Sequence, residues 1–111
     1  KSPKLIKIDV EGFETEVLAG AAKTLANPEL RAVVMELNGS GKRYGYDEDS
    51  LHLHMQSLDF RSCRYEPSAR RVIDLNGRRS TSGNTLYLRN PEAIQAEVSQ
   101  SPAYRVIRVE L

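Results

Sequence analysis

Leu5-Ile6-Lys7-Ile8-Asp9-Val10-Glu11-Gly12-Phe13-Glu14, carried on through Val17-Leu18-Ala19-Gly20-Ala21, is the stretch whose reading decides the fold. Leu5 to Val10 is apolar and β-branched apart from Lys7, the pattern of a strand buried on both faces in a parallel sheet. Glu11-Gly12 ends it. From Phe13 the period changes. Phe13, Val17, Ala21 and Leu25 recur on one face with Leu18 and Ala22 beside them, and Thr15, Glu16, Lys23 and Thr24 form the wet side of one amphipathic helix. Asn27-Pro28 stops that helix, because a residue before proline is driven out of the helical region. Residues 30–37, with Ala32-Val33-Val34-Met35 in the middle, predict a second strand. Strand, helix and strand within about 35 residues form a βαβ unit with a right-handed crossover.

Working outward, residues 38–46 are a loop with three glycines, Gly39, Gly41 and Gly45. Asp47-Glu48-Asp49-Ser50 places acids at the positive end of a second helix, whose apolar stripe is Leu51, Met55 and Leu58. Residues 60–65 and 71–75 read as strands separated by Pro67-Ser68. Asn76-Gly77 is a turn signal. Residues 78–83 are a basic loop of small residues, and residues 85–88 a further strand. Asn90-Pro91-Glu92 opens a short last helix with a cap, a proline at its first position and an acid in its first turn. Ser101-Pro102 ends it, and residues 104–111 predict a terminal strand. The first half alternates strand and helix and the second shifts toward paired strands. The fold class is therefore α/β, a parallel sheet with helices finished by an antiparallel edge.

Composition narrows the function classes. The chain has 111 residues, 40% hydrophobic and 28% charged, with 16 Lys+Arg against 15 Asp+Glu. It reads as a single domain, residues 1–111, neither disordered nor membrane-embedded. A net charge of +1 excludes a strongly basic nucleic-acid binder. No apolar run approaches the roughly 20 residues that cross a bilayer, so no membrane partner is expected. The single cysteine, Cys63, excludes an internal disulfide framework and fits a reducing compartment, so a cytoplasmic location is expected. A doubly wound nucleotide-binding domain needs about six strand–helix steps of roughly 30 residues, and this chain holds about half. Its opening Lys1-Ser2-Pro3 leads straight into the first strand, and an excised piece of a larger domain is expected.

The densest chemistry is Asp9, Glu11 and Glu14 around Gly12. In open α/β sheets ligands bind beyond the carboxyl ends of the strands. Asp9 and Glu11 belong there, and Glu36 and Asn38 at the same end of the next strand. Neighbouring strands lie about 4.8 Å apart, so these carboxylates are expected to share one crevice. So grouped, they can act as a general base, accept hydrogen bonds from a hydroxyl ligand or hold a divalent cation. Each acid alone is also accounted for by capping of the following helix. Lys7 either reaches the crevice or snorkels at an edge. Gly20 is read as a close approach of helix to sheet.

Other constellations carry less. His52 and His54 on a helix point about 200° apart and cannot share a metal. Cys63 is expected to be a buried free thiol. Arg61, Arg64, Arg70, Arg71, Arg78 and Arg79 cluster in the second half. Diluted by Asp47 to Asp49, they read as solvated sheet residues rather than a nucleic-acid track, with Arg78 and Arg79 as candidates for contact with an anionic substrate.

Residues 5–21 resemble the signature of the FkbM family of S-adenosylmethionine-dependent methyltransferases. The match runs over Ile6-Lys7-Ile8-Asp9-Val10-Glu11-Gly12, Glu14, Val17-Leu18 and Gly20-Ala21. Val33-Val34-Met35-Glu36 is similar to the family's next strand, which ends in Glu. Asn84-Thr85-Leu86-Tyr87-Leu88 is similar to its last strand, which begins with Asn. The resemblance spans residues 4–89. It implies half of a Rossmann-like methyltransferase sheet, strand order 3-2-1-4-5-7-6 with the seventh antiparallel, this chain supplying the fourth strand onward. The implied function is O-methylation of a hydroxyl on a sugar or natural product. The implied catalytic residues are Asp9, Glu11 and Glu36, with Asp9 the base or hydroxyl-orienting group. Asp9, Gly12 and Glu14 are implied to touch S-adenosylmethionine, and Lys7, Asn38, Arg78 and Arg79 to contact substrate.

The glycine-rich loop that cradles such a cofactor belongs to the first strand of these folds and is absent here, so it is expected upstream of residue 1. The chain alone is expected to bind S-adenosylmethionine weakly and to be inactive. A divalent metal is allowed by the carboxylates but not expected. Two other readings stay open. One is a non-enzymatic interaction module, or a homodimer paired through the edge of the first strand. The other is a small divalent-metal-dependent enzyme using the acidic strand ends.

Overall fold

The computed structural model of the chain describes residues 3–8, 14–36, 48–80 and 84–101. Asp9, Glu11, Gly12, Phe13, Asn38, the glycine loop with Asp47, residues 81–83 and the expected strand at 104–111 lie outside the described residues. The βαβ reading takes shape as β1 (Leu5–Ile8), two short helices and β2 (Ala32–Glu36). β1 and β2 are parallel, with Ile6 beside Val33 and Ile8 beside Met35.

The single expected helix is instead two, α1 (Glu14–Gly20) and α2 (Ala22–Ala26). Ala21 between them sits at φ −105°, ψ 19°, outside helical geometry. Hydrogen bonds from Ala21 N–H to Val17 O at 3.0 Å and from Leu25 N–H to Ala21 O at 2.9 Å carry the chain across the break. Gly20 does not mark a helix–sheet approach: a Cβ built there meets nothing within 4 Å. At the end of α2 the Asn27 side chain accepts from Glu29 N–H at 2.9 Å, an Asx turn that carries the chain through Pro28.

The rest of the chain forms α3 (Glu48–Ser57), β3 (Arg61–Glu66), β4 (Arg71–Asp74), β5 (Asn84–Leu88) and α4 (Pro91–Gln100). The sheet order is β1-β2-β5-β3-β4. β5 is antiparallel to both β2 and β3, and β4 is antiparallel to β3. The last strand in the described chain thus lies in the middle of the sheet, and the antiparallel edge is β4. Asn90 caps α4 as its sequence predicts, its side chain accepting from Ala93 N–H with Pro91 following.

Alternation sorts the sheet into two faces. Ile6, Ile8, Val33, Met35, Thr85 and Tyr87 share one face by register. Leu18, Leu25, Leu30, Leu51, Met55 and Phe60 join Ile8, Val33, Met35 and Tyr87 in a single buried core. The other face holds Leu5, Lys7 and Arg61, and α4 meets it where Arg61 pairs with Glu92. β1 is therefore not buried on both faces: Leu5 is 60% exposed and Lys7 is exposed beside it. The reason is position, since β1 is an edge strand covered on one face among the described residues. Lys7 behaves as an edge lysine.

Candidate functional site

The expected acidic strand end lies where the parallel pair β1 and β2 stops. β1 reaches its described end at Ile8, opposite Met35, so the points from which both acidic segments continue are neighbours. Glu36, half-buried, closes β2 and stands in register with Asn84 at the start of β5. Directly opposed residues of an antiparallel pair have Cβ atoms about 4.5–5.5 Å apart and share a face. A carboxylate and a carboxamide are thus placed together at the carboxyl end of β2. Such a pair can accept and donate hydrogen bonds to a hydroxyl-bearing ligand. Glu14 opens α1, at the amino end that follows the motif. Asp9, Glu11, Gly12 and Asn38 lie outside the described residues.

Arg78 and Arg79 follow the Asn76-Gly77 turn, in a strap that runs from β4 back toward the start of β5. Asn76 and Gly77 adopt φ 55° and 83°, the left-handed region that these two residue types tolerate best. Asp74 Oδ1 accepts from Asn76 N–H at 2.7 Å. Arg79 then bridges two acids at the start of α3, Glu48 at 3.3 Å and Asp49 at 2.9 Å. Glu48 is buried, and its place at the positive helix end stabilises its charge. Ser80 N–H donates to Thr85 Oγ1 at 3.1 Å, fastening the strap to β5. Arg78 is exposed.

Two polar groups, one buried and one half-buried, escaped the sequence reading. His52 does sit on α3 with His54, as expected, but the two differ in kind: His54 is exposed and His52 is buried. The His52 ring lies 2.8 Å from Tyr87 Oη through Nδ1 and 2.7 Å from Gly77 O through Nε2. A carbonyl only accepts, so Nε2 carries the proton. Burial pushes the Tyr87 phenol well above its ordinary range, which keeps its hydroxyl protonated and able to donate to Nδ1. Both ring nitrogens are engaged, which leaves none for a metal. This chain of bonds ties α3, β5 and the strap together.

Arg89 is the second. It donates to Leu25 O, to Asn27 O at 2.6 Å, to Leu30 O at 2.9 Å and twice to Leu58 O, at 3.2 and 3.0 Å. All five guanidinium N–H groups are used. Its Cζ also lies 4.1 Å from the centre of the Phe60 ring. One side chain satisfies the carbonyls that end α2 and α3, which their helices leave orphaned. The available signal was weak: an arginine directly after an apolar strand and before Asn90-Pro91.

Cys63 is a buried free thiol, as expected, and burial pushes its pKa up to about 11. Two further arginines of the second half are paired on the surface: Arg64 with Glu66 at 2.7 Å, and Arg61 with Glu92 and with Asp74 at 3.6 Å. No group of His, Cys, Asp and Glu that could hold a metal occurs among the described residues. No described helix is long and apolar enough to cross a membrane.

A cleft of about 540 Å³ opens at the opposite, amino end of β3, between the end of α3 and the strap. Gln56, Asp59, Asp74 and Asn90 are among its walls, and so is Ser62, whose buried hydroxyl has no hydrogen-bond partner. The described glycines are Gly20 and Gly77, and neither follows a parallel strand. The turns that follow β1 and β2, where a nucleotide-bearing cofactor meets an open α/β sheet, lie outside the described residues.

Residues 1–67 match the family model of the methyltransferase FkbM domain. The matched segment runs from β1 through β3 and includes Lys7, Asp9, Glu11, Gly12, Glu14, Glu36 and Asn38; Arg78, Arg79 and β5 lie beyond it. No curated protein and no solved structure gives a significant match to the chain.

Proposed function

Because the chain belongs to the FkbM methyltransferase domain family, we propose that it is the carboxyl-terminal part of an S-adenosylmethionine-dependent O-methyltransferase. Its acceptor is a hydroxyl on a sugar or natural product. The observation that supports this reading is the strand order. β1-β2-β5-β3, with β5 antiparallel to its neighbours, has the sequence of positions 4-5-7-6 in a Rossmann-like methyltransferase sheet. In that frame β1 is an inner strand, and the bare face at Leu5 and Lys7 is one that further elements cover. The methyl donor is held mainly by a glycine-rich turn that precedes this segment. Asp9 is the base or hydroxyl-orienting group, Glu11 and Glu36 complete the acidic end, and Gly12 and Glu14 adjoin the donor. Asn38 contacts the acceptor, while Lys7 lies on the face that the further elements cover.

Calorimetric titration of S-adenosylmethionine into this chain, and into the protein extended upstream of Lys1, tests the reading. Saturable binding is expected for the extended protein, with little or none for the chain. In the extended protein Asp9→Asn lowers kcat by about a hundredfold or more, the usual contribution of a positioned acid–base group. An extended protein that binds no S-adenosylmethionine sinks the proposal.

A second reading is favoured by the β1 edge, which has no strand partner beyond β2 among the described residues. Two copies could pair there as a homodimer. Light scattering separates the two: a monomer at micromolar concentration removes the dimer.

A further inference from the structure

Asn76 and Gly77 fill the two central positions of the turn that opens the strap. Arg78 N–H donates to Leu75 O at 3.1 Å across it, and both central residues have positive φ, the signature of a type I′ turn. Asn76 N–H donates to Asp74 Oδ1 at 2.7 Å, and Gly77 O accepts from His52 Nε2–H at 2.7 Å and from Gln56 Nε2 at 3.5 Å. Two groups are left over. The Asn76 carboxamide and the Gly77 N–H have no hydrogen-bond partner among the described residues, and both residues are exposed to solvent.

These two groups are an electrophile and a nucleophile. Joining the Gly77 nitrogen to Asn76 Cγ closes a five-membered ring, and holding both in one short segment makes the attack intramolecular. Neither group must first give up a hydrogen bond, and glycine brings no Cβ to crowd the nitrogen. Closing the ring turns the Asn76–Gly77 peptide out of the type I′ arrangement, so the bonds that hold the turn set the rate.

We propose that Asn76-Gly77 is a site of spontaneous deamidation and that the reaction opens the strap irreversibly. Hydroxide or water removes the Gly77 N–H proton, and the nitrogen forms a bond to Asn76 Cγ. The Cγ–Nδ2 bond breaks, and the departing nitrogen takes a proton back from solvent as ammonia. The cyclic imide then adds one water molecule. Cleavage of its Cγ–N bond gives aspartate at this position. Cleavage of its other C–N bond gives isoaspartate, with the chain running through Cβ and Cγ. Overall one amide and one water give one acid and one ammonia.

Isoaspartate adds an atom to the main chain inside a turn that fits only one backbone geometry. Either product places a carboxylate next to that of Asp74. Gly77 O then withdraws from His52, and the link between the strap, α3 and β5 is lost. The site stands independently of the methyl-transfer reading.

Mass spectrometry of the folded chain aged in mildly alkaline buffer tests it. Trypsin releases residues 72–78 as one peptide, while Asn38-Gly39, the same dipeptide, falls in residues 32–42 and is read separately. The mass gain of an amide turned acid is expected in peptide 72–78, split over two chromatographic peaks and faster as pH rises. The free peptide of the same sequence sets the unconstrained rate. The folded chain follows within about a hundredfold, since an exposed turn opens at little cost. His52→Ala and Tyr87→Phe each speed conversion about fivefold, the factor by which one lost hydrogen bond raises local opening. Tyr87→Phe keeps its ring in the core and decides the matter if His52→Ala does not fold. Hydrogen exchange at Arg78 N–H rises in the deamidated fraction, prepared in an Asn38→Gln background. A folded chain that keeps Asn76 intact beyond the hundredfold limit overturns the site. Conversion in Tyr87→Phe at the parent's rate, or unchanged protection of Arg78 N–H after deamidation, overturns the coupling to the strap.

Discussion

The two edges of the sheet are finished in opposite ways. At β4 the outer backbone is occupied by a side chain: Gln95 of α4 accepts from Val72 N–H at 2.6 Å and donates to Arg70 O at 2.9 Å. One carboxamide thereby imitates a missing strand. At β1 nothing comparable occurs among the described residues, and Leu5 and Lys7 lie open on the adjoining face. The edge made by the carboxyl-terminal part is terminated, while the edge made by the amino-terminal part is ready for continuation. Stability is distributed in the same uneven way. The long-range polar ties of α3, β5 and the strap belong to the second half, and Arg89 alone gathers the carbonyls of both.

Arg89→Ala breaks this arrangement most severely. It strips five N–H donors from four carbonyls and a cation from the Phe60 ring, at an expected cost of about 2–4 kcal/mol in urea unfolding. Arg89→Lys recovers only a fraction, since an ammonium cannot reach so many acceptors at once. Tyr87→Phe comes next. It leaves His52 Nδ1 without a donor inside the core and costs about 1–2 kcal/mol. Hydrogen exchange then speeds up in the strap before it does in β1.

Gln95→Ala opens the β4 edge and makes it resemble the β1 edge, at a loss of about 1 kcal/mol. Exchange at Val72 N–H rises, and self-association by sedimentation increases. No change at Val72 would mean that the contrast between the edges has another origin. Gly20→Ala has the smallest effect and the opposite sign. Its Cβ enters open space, and melting should rise by up to about 1 kcal/mol of added stability.

Periodicity and punctuation were enough to read the elements. The β1–β2 unit, α3 after its acids, the β3–β4 pair and the Asn90-Pro91 start of α4 all follow from local patterns. What local patterns could not supply depends on partners distant in the chain. Leu5 to Val10 looks doubly buried because its composition suits an inner strand, yet burial is decided by neighbours. Of the acidic motif's partners, Glu36 is found beside Asn84, a neighbour that the sequence reading did not name. His52 carried no signal, because Tyr87 and Gly77 become its partners only after the sheet closes. Arg89 reads like any surface arginine until three turns bring their carbonyls to it. Ala21 gave no warning of the helix break, since alanine is the best helix former.

The central position of β5 has a consequence in time. The strand that joins β2 to β3 is the last of the five to leave the ribosome. Until it arrives, β2 and β3 cannot bond through a common neighbour, and Val33 and Ser62 wait for the same residue, Tyr87. Pairing across such separations slows folding and leaves strand edges available for wrong partners. Synthesis of this segment is therefore a race between completion of Asn84–Leu88 and aggregation of everything made before it.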